Sequence, residues 1–342
     1  MSGPSQQQPH PGSKQALLEV KNLKKYYPIT GGILNRTTGY VKAVDDVSFS
    51  IDGGETLGLV GESGCGKSTL GRTLVRLYDP TSGTIRFDGE DLSDVSKESM
   101  RELRRHIQII FQDPASSLNP RMNVRKIITE PMNFLTDWSE ERKKERLKEL
   151  IKEVGLTEEH LSRAPHEFSG GQQQRIAIAR ALSVNPTFVV ADEPTSALDV
   201  SVQADILNLM KRLQKKYDLT YLFISHDLSV VRHISDRIAV MYLGKMAEIA
   251  PTEKLFDSPK HPYTKALLSS VPRASPEKME ERIVLEGSVP SPEDPPVGCR
   301  YHTRCQEYIG DVCESEQPPT IDIESDHTCA CYHYEDTDAS DS

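Results

Sequence analysis

The sequence lacks any long apolar run. Stretches such as residues 187–191 and 221–224 fall far short of the ~20 residues a membrane-crossing helix needs, which excludes an integral membrane protein. There is no excess of basic charge either. Fifty-one acidic residues against 41 basic ones give a formal charge of -10, which argues against a surface built for nucleic acid. Residues 1–14 are rich in Gln, Pro and Ser and hold no apolar segment, so they do not read as a signal peptide. They are expected to be a disordered leader on an intracellular protein. No internal repeat is apparent. Cysteine is missing from almost the whole chain: Cys65 stands alone, and the other five, Cys299, Cys305, Cys313, Cys329 and Cys331, crowd the last 44 residues. In an intracellular protein such a cluster points to metal before disulfide.

What is present is enough for a large core. A chain of 342 residues can bury roughly three-quarters of its unfolded surface without a staple. Residues 17–20, 45–51, 55–60, 84–87, 106–110, 187–191 and 220–225 read as strands, and residues 238–242 and 245–249 as a hairpin about Gly244. Helical spacing is expected over 68–77, 139–154, 172–182 and 201–217, with Ser139 as an N-cap and Gly155 just past a helix end. A Gly-containing loop is expected over 30–39. Alternating buried strands and helices predict a mostly parallel sheet with helices on both faces. Near Ala250 the composition shifts towards proline, and a small irregular appendage is expected beyond it.

Two motifs carry chemistry. Gly61-Glu62-Ser63-Gly64-Cys65-Gly66-Lys67-Ser68 follows a predicted strand and opens a predicted helix. Its glycines let backbone N–H groups curl around phosphate oxygens, and the helix N-terminus adds partial positive charge. Lys67 can reach the outer phosphates, and Ser68, followed by Thr69, can ligate Mg²⁺. Cys65 reads as a small residue in this loop. The second motif is a buried strand running into Asp192 and Glu193. Asp192 would help to hold Mg²⁺, and Glu193 would polarise the attacking water.

Phe168-Ser169-Gly170-Gly171-Gln172, twenty residues before Asp192, resembles the signature motif of ABC-type ATPases, with Phe in place of the usual Leu. In the family's order come Gln112 of the Q-loop, Ser196-Ala197-Leu198-Asp199 of the D-loop, and His226 as the switch histidine. The resemblance implies an α/β P-loop NTPase of the ABC-ATPase type: a mostly parallel sheet, an antiparallel β portion and a helical signature subdomain over about 113–182. It implies a nucleotide-binding domain over 15–250 and a Cys-rich extension over 251–334; residues 335–342, with three Asp, one Glu and no base, read as an acidic tail. It further implies an aromatic on adenine, with Tyr27 preferred over Tyr26 or Tyr40. Two ATP molecules would lie between two subunits, the signature of one facing the ATP of the other, with Glu193, His226, Gln112 and Lys67 as catalytic residues and Asp199 near the shared nucleotide. Gln112 would join Ser68 and Asp192 at Mg²⁺.

Finer marks narrow the resemblance. Phe111 to Arg121, Lys42 to Phe49 and His261-Pro262-Tyr263-Thr264 resemble the ATPase subunits of oligopeptide and dipeptide importers, of the type conventionally called F. The implied partners are a second, different ATPase subunit, two transmembrane permeases and, indirectly, an extracellular substrate-binding protein, with the chain on the cytoplasmic side of the cell membrane. Residues 114–122 are expected to meet a permease. Nickel and glutathione importers share these marks. The competing reading is a soluble ABC-type ATPase of DNA repair or translation. Members of the importer group often end in four cysteines, and the match falls on Cys299, Cys305, Cys313 and Cys331. Four thiolates from an irregular segment suit an iron–sulfur cluster or zinc, zinc being less favoured because the spacing is not a C-x-x-C pair, and the resemblance implies a [4Fe-4S] cluster in some members. Cys329 is an additional thiol that could replace Cys331 as a ligand.

Overall fold

The computed structural model describes residues 16–31, 36–93, 95–270 and 287–339. The expected leader, 1–14, lies outside these residues. So do 32–35, in the expected loop, and the last three residues of the expected tail.

The chain opens with two long antiparallel strands, β1 (Ala16–Gly31) and β2 (Arg36–Asp52). They occupy most of the segment expected as a loop. Next come β3 (Thr56–Val60), α1 (Lys67–Leu74), β4 (Ser82–Phe87), β5 (Glu90–Asp91), α2 (Lys97–Leu103) and β6 (Ile107–Ile110). Four helices follow: α3 (Pro114–Ser117), α4 (Val124–Leu135), α5 (Glu140–Glu153) and α6 (Gly170–Leu182). The chain returns through β7 (Phe188–Asp192), α7 (Val200–Tyr217), β8 (Thr220–Ile224), α8 (Leu228–Ile234) and the hairpin β9 (Arg237–Tyr242) and β10 (Lys245–Pro251). The remainder holds α9 (Thr252–Asp257), α10 (Pro262–Ser269), α11 (Val312–Ser315), β11 (Ile321–Glu324) and β12 (His327–Cys329).

The main sheet runs β11-β12-β10-β9-β3-β8-β7-β6. Its five strands from β9 to β6 are parallel, and the other end is antiparallel. Every residue of β3, β7 and β8 is buried, as expected of parallel strands covered on both faces. Alternation divides their side chains between two cores. Val189 and Ala191 of β7 join α4 to α8, while Phe188 and Val190 join α1 and the small sheet β2-β1-β4-β5. One face is thus packed by helices and the other largely by a second sheet. That corrects the expectation of helices on both faces: the amphipathic strands β1, β2 and β4 bury Leu18, Val20, Leu23, Val44, Val47 and Ile85 there instead.

The C-terminal extension is joined to this frame. β12 pairs with β10, placing Cys329 opposite Glu248. Glu248 is 1% exposed. It accepts hydrogen bonds from the backbone N–H groups of Lys260 (2.8 Å) and His261 (2.9 Å) and lies 2.8 Å from Nε2 of His327. Burial works against its ionisation, but these partners outweigh burial and hold its carboxyl below the ordinary range. His261 caps α10 by accepting from the Tyr263 N–H at 3.0 Å. Arg300 lies buried between Asp45 and the Leu243 carbonyl, donating to both.

Candidate functional site

The glycine-rich loop 61–68 forms where β3 ends, and its geometry explains its glycines. Gly66 caps α1 at φ 107°, and a Cβ there would meet the Ala43 carbonyl oxygen at 2.0 Å. Only glycine meets both constraints. The Lys67 ammonium donates to the Gly61 carbonyl (2.7 Å) and the Glu62 carbonyl (2.9 Å). It is folded back on the loop that an anion would enter. Cys65 is 2% exposed, and burial pushes its thiol up. It packs beneath the loop, so its sulfur is a core group.

Beside the loop, Ser68 donates to Asp192 at 2.7 Å, and Arg72 lies 3.3 Å from the other carboxylate oxygen. The Arg72 guanidinium is held more firmly protonated, first by Tyr78 and then, against burial, by Asp192. A hydroxyl on a buried carboxylate at the mouth of an anion loop is a hard-oxygen pair of the kind Mg²⁺ selects. Glu193 follows in left-handed backbone, φ 47°, with its N–H on the Ile224 carbonyl at 3.0 Å. That conformation is costly for a non-glycine residue. It places the carboxylate 2.8 Å from the Gln112 amide nitrogen and 3.3 Å from His226 Nδ1.

These groups share one cleft of about 680 Å³. Of the expected residues it is lined by Tyr27, Ser63, Gly64, Gly66, Lys67, Ser68, Thr69, Gln112, Glu193 and His226. Tyr27 is the aromatic at this cleft: Tyr26 bonds to Asp45 instead, and Tyr40 is half exposed with its ring against Tyr26. Gly61, Glu62 and Cys65 belong to the loop without lining the cleft, and Asp192 reaches it through Ser68. The residues Ser169, Gly170, Gly171, Gln172 and Asp199 do not line it. Ser169 and Gln172 form a reciprocal capping box at the start of α6, with Ser169 exposed at the surface. Sequence reasoning did not anticipate Val41, Ala43 and Pro292 in the cleft wall. Pro292 arrives from the extension, its carbonyl accepting the Lys42 N–H at 3.1 Å. No local pattern marks it.

The cysteines divide. Cys299, Cys305, Cys313 and Cys331 line one narrow apolar cavity, whereas Cys329 lies buried on β12 and does not line it. Burial raises the Cys299 thiol, and pushes Cys305 up to about 12 and Cys331 up to about 11. Among the described residues no group of three or more His, Cys, Asp or Glu is arranged to hold a metal ion.

A family model described as ABC transporter matches residues 44–196, and one described as the C-terminal region of the oligopeptide/dipeptide transporter matches 247–313. The chain is 54% identical over 325 residues to the oligopeptide transport ATP-binding protein AppF of Bacillus subtilis, covering 94% of this chain and 98% of that one. It is 49% identical over 309 residues to the dipeptide transport ATP-binding protein DppF of Escherichia coli, covering 90% and 92%. Among solved structures, a dimeric post-hydrolysis state of the ATP-binding cassette MJ0796 bound to ADP and Pi matches with a TM-score of 0.62 at 31% identity. That match covers 69% of this chain and 98% of the other.

Proposed function

The chain belongs to the ABC transporter family, among the ATP-binding subunits of oligopeptide and dipeptide importers, and from that premise we propose how its residues divide the work. The protein is an ATPase that energises peptide import. Lys67, Ser63, Gly64, Gly66 and Thr69 receive the phosphates, and Tyr27 stacks on the base. Ser68, Asp192 and Gln112 offer oxygen ligands to Mg²⁺, which supplies charge neutralisation when bound. Glu193 orients a water whose oxygen bonds to the γ-phosphorus as the bond to the β,γ-bridging oxygen breaks. ADP leaves, and the water's proton passes to the Glu193 carboxylate. His226 fixes that carboxylate from its other side. The observation that carries this reading is the convergence of Ser68, Gln112, Glu193 and His226, from four separate segments, on one cleft.

The exposed signature supports a further element of the proposal. Ser169 and the N-terminus of α6 complete the ATP site of a second subunit, and ATP joins the two. The partner is a different ATPase subunit, both dock on two permeases, and Pro114 to Met122 forms part of that contact. A substrate-binding protein acts through the permeases. Attachment to the membrane is peripheral: among the described residues no helix is long and apolar enough to cross it. The two family matches and the relatives' names favour peptide import over nickel or glutathione, and over a soluble DNA-repair or translation ATPase. To test the division, ATP binding and ATP-driven pairing with the second subunit are measured separately. Lys67→Ala should lose binding by tenfold or more, about 1.4 kcal/mol. Ser169→Arg should bind as the parent does yet fail to pair. Pairing by Ser169→Arg would remove the shared site.

Cys299, Cys305, Cys313 and Cys331 line one cavity, and on losing their protons and drawing together these four would hold an iron–sulfur cluster, which would supply a rigid cross-link within the extension. Convergence on one cavity supports this reading, and Cys329 is assigned a packing role. Anaerobically purified protein should carry iron and inorganic sulfide, retained in Cys329→Ser and lost in Cys305→Ser. Iron-free, colourless protein would leave the four as packing thiols.

A further inference from the structure

Glu62 sits inside the phosphate loop but does not line the cleft. Its carboxylate is gripped by Arg304, with Nη1 to Oε2 at 2.7 Å and Nη2 to Oε1 at 3.2 Å. Its backbone N–H donates to the Tyr263 hydroxyl at 2.9 Å. Its carbonyl accepts from Lys67 at 2.9 Å. One residue of the loop is therefore joined on one side to the lysine that meets phosphate, and on the other to two residues of the extension. Neither attachment is loose. The Arg304 side chain is 5% exposed and also donates to the Tyr242 hydroxyl at 3.3 Å. The Tyr242 ring beside it packs in turn against the rings of Tyr263 and Tyr301, with centroids 4.6 to 5.3 Å apart.

The electrostatics give this joint a purpose. A carboxylate within a loop that receives a triphosphate repels the ligand. A paired guanidinium cancels that charge and fixes the direction in which it points, because the fork binds both oxygens at once. Glu62 in turn holds the guanidinium firmly protonated, against the effect of burial.

We propose that Arg304 is a positioning residue of the nucleotide site: by holding Glu62, the C-terminal extension sets the phosphate loop in its ATP-receiving form. The proposal rests on the reading of this loop as the phosphate site, and the two fail separately. If Lys67→Ala keeps ATP affinity, that reading falls and this proposal with it. If Lys67→Ala loses affinity and Arg304→Ala does not, only this proposal falls.

The test uses the full-length chain and two probes, ATP and inorganic tripolyphosphate, each with Mg²⁺. Arg304→Ala should weaken both by about tenfold, because the contact acts on the phosphate end. Arg304→Lys, which keeps charge but loses the fork, should recover part of the loss. Glu62→Gln combined with Arg304→Ala should bind no worse than Arg304→Ala alone, since the arginine acts through Glu62. In the assembled transporter, KM for ATP should rise while kcat at saturating ATP holds. A merely structural arginine would lower the unfolding midpoint and leave tripolyphosphate affinity unchanged. That result, or additive losses in the double variant, overturns the proposal. Should Arg304→Ala fail to fold, Arg304→Lys and Tyr263→Phe carry the test, each weakening both probes severalfold. Unchanged binding in both overturns it equally.

Discussion

Among the described residues, two glutamate–histidine pairs differ in almost everything except their chemistry. At the cleft, Glu193 and His226 lie 3.3 Å apart, and 58% of the histidine side chain is exposed. At the seam between the main sheet and the extension, Glu248 and His327 lie 2.8 Å apart, with side chains 0% and 2% exposed. The first pair is only partly satisfied by protein. Gln112 shares the carboxylate, the histidine faces the cleft, and the backbone beneath Glu193 is strained. The second is surrounded: backbone N–H groups of Lys260 and His261 complete the coordination of Glu248. Burial thus decides the role. An open pair can exchange its partners for water and phosphate, whereas a closed one can only hold two segments together.

The comparison breaks most visibly at Glu193. Replacing it with Gln keeps the contact to Gln112 in shape but removes the base. Turnover should fall on the order of 10³-fold, and ATP-joined pairs of subunits should accumulate, read by ATPase assay and by size-exclusion chromatography with ATP. The unfolding free energy should stay within about 0.5 kcal/mol of the parent, because Gln keeps the size of the side chain and its contact to Gln112. Undiminished turnover would mean that the open pair is not the catalytic one. The reciprocal experiment is Glu248→Ala. It should cost about 3–5 kcal/mol in urea unfolding, since removing one partner strands the buried histidine and two backbone donors. Nucleotide affinity under folding conditions should change far less than stability. A variant as stable as the parent would show the seam to be incidental.

How much of each region could be read beforehand follows from the same contrast. Residues 61–68 spell their geometry locally, because a loop that wraps a phosphate needs glycines at fixed places and a lysine just after them. Asp192 and Glu193 were legible because a buried strand must end before a carboxylate can face a ligand. Gln112 and His226 came from resemblance, and the cleft gathers both. The seam offers no such local rule. Glu248 meets His327 only because β12 pairs with β10 in one register, and a shift by one residue would turn His327 to the other face. Glu62 read as one more loop position, and nothing within the motif says that an arginine 242 residues later will hold it. His261 and Tyr263 belong to a stretch that carries the resemblance, while their jobs, capping α10 and pinning the Glu62 N–H, are tertiary facts. Packing also decided that an antiparallel sheet, rather than helices alone, covers the second face.

The smallest of the three effects sharpens the contrast through pH. Burial holds His261 neutral, its pKa lowered to about 4 from an ordinary 6.5, although Glu248 and Glu307 pull the other way. Lys265 adds to the lowering. Below pH 6.5 the unfolded chain takes up a proton that the folded chain refuses until about pH 4, so acidification through that window favours unfolding. Integrated over the window the loss approaches about 3 kcal/mol. Glu248 acts in the same direction lower down: its carboxyl is held below the ordinary range, so its contribution is present above that range and lost as pH falls through the folded value. Urea midpoints measured at pH 7, 6, 5 and 4.5 should therefore decline for the parent. Asn can still accept the Tyr263 N–H at the helix cap but cannot titrate, so His261→Asn should flatten the upper part of that decline. Parallel slopes in parent and variant would place the acid-sensitive group elsewhere and remove His261 from the closed side of the comparison.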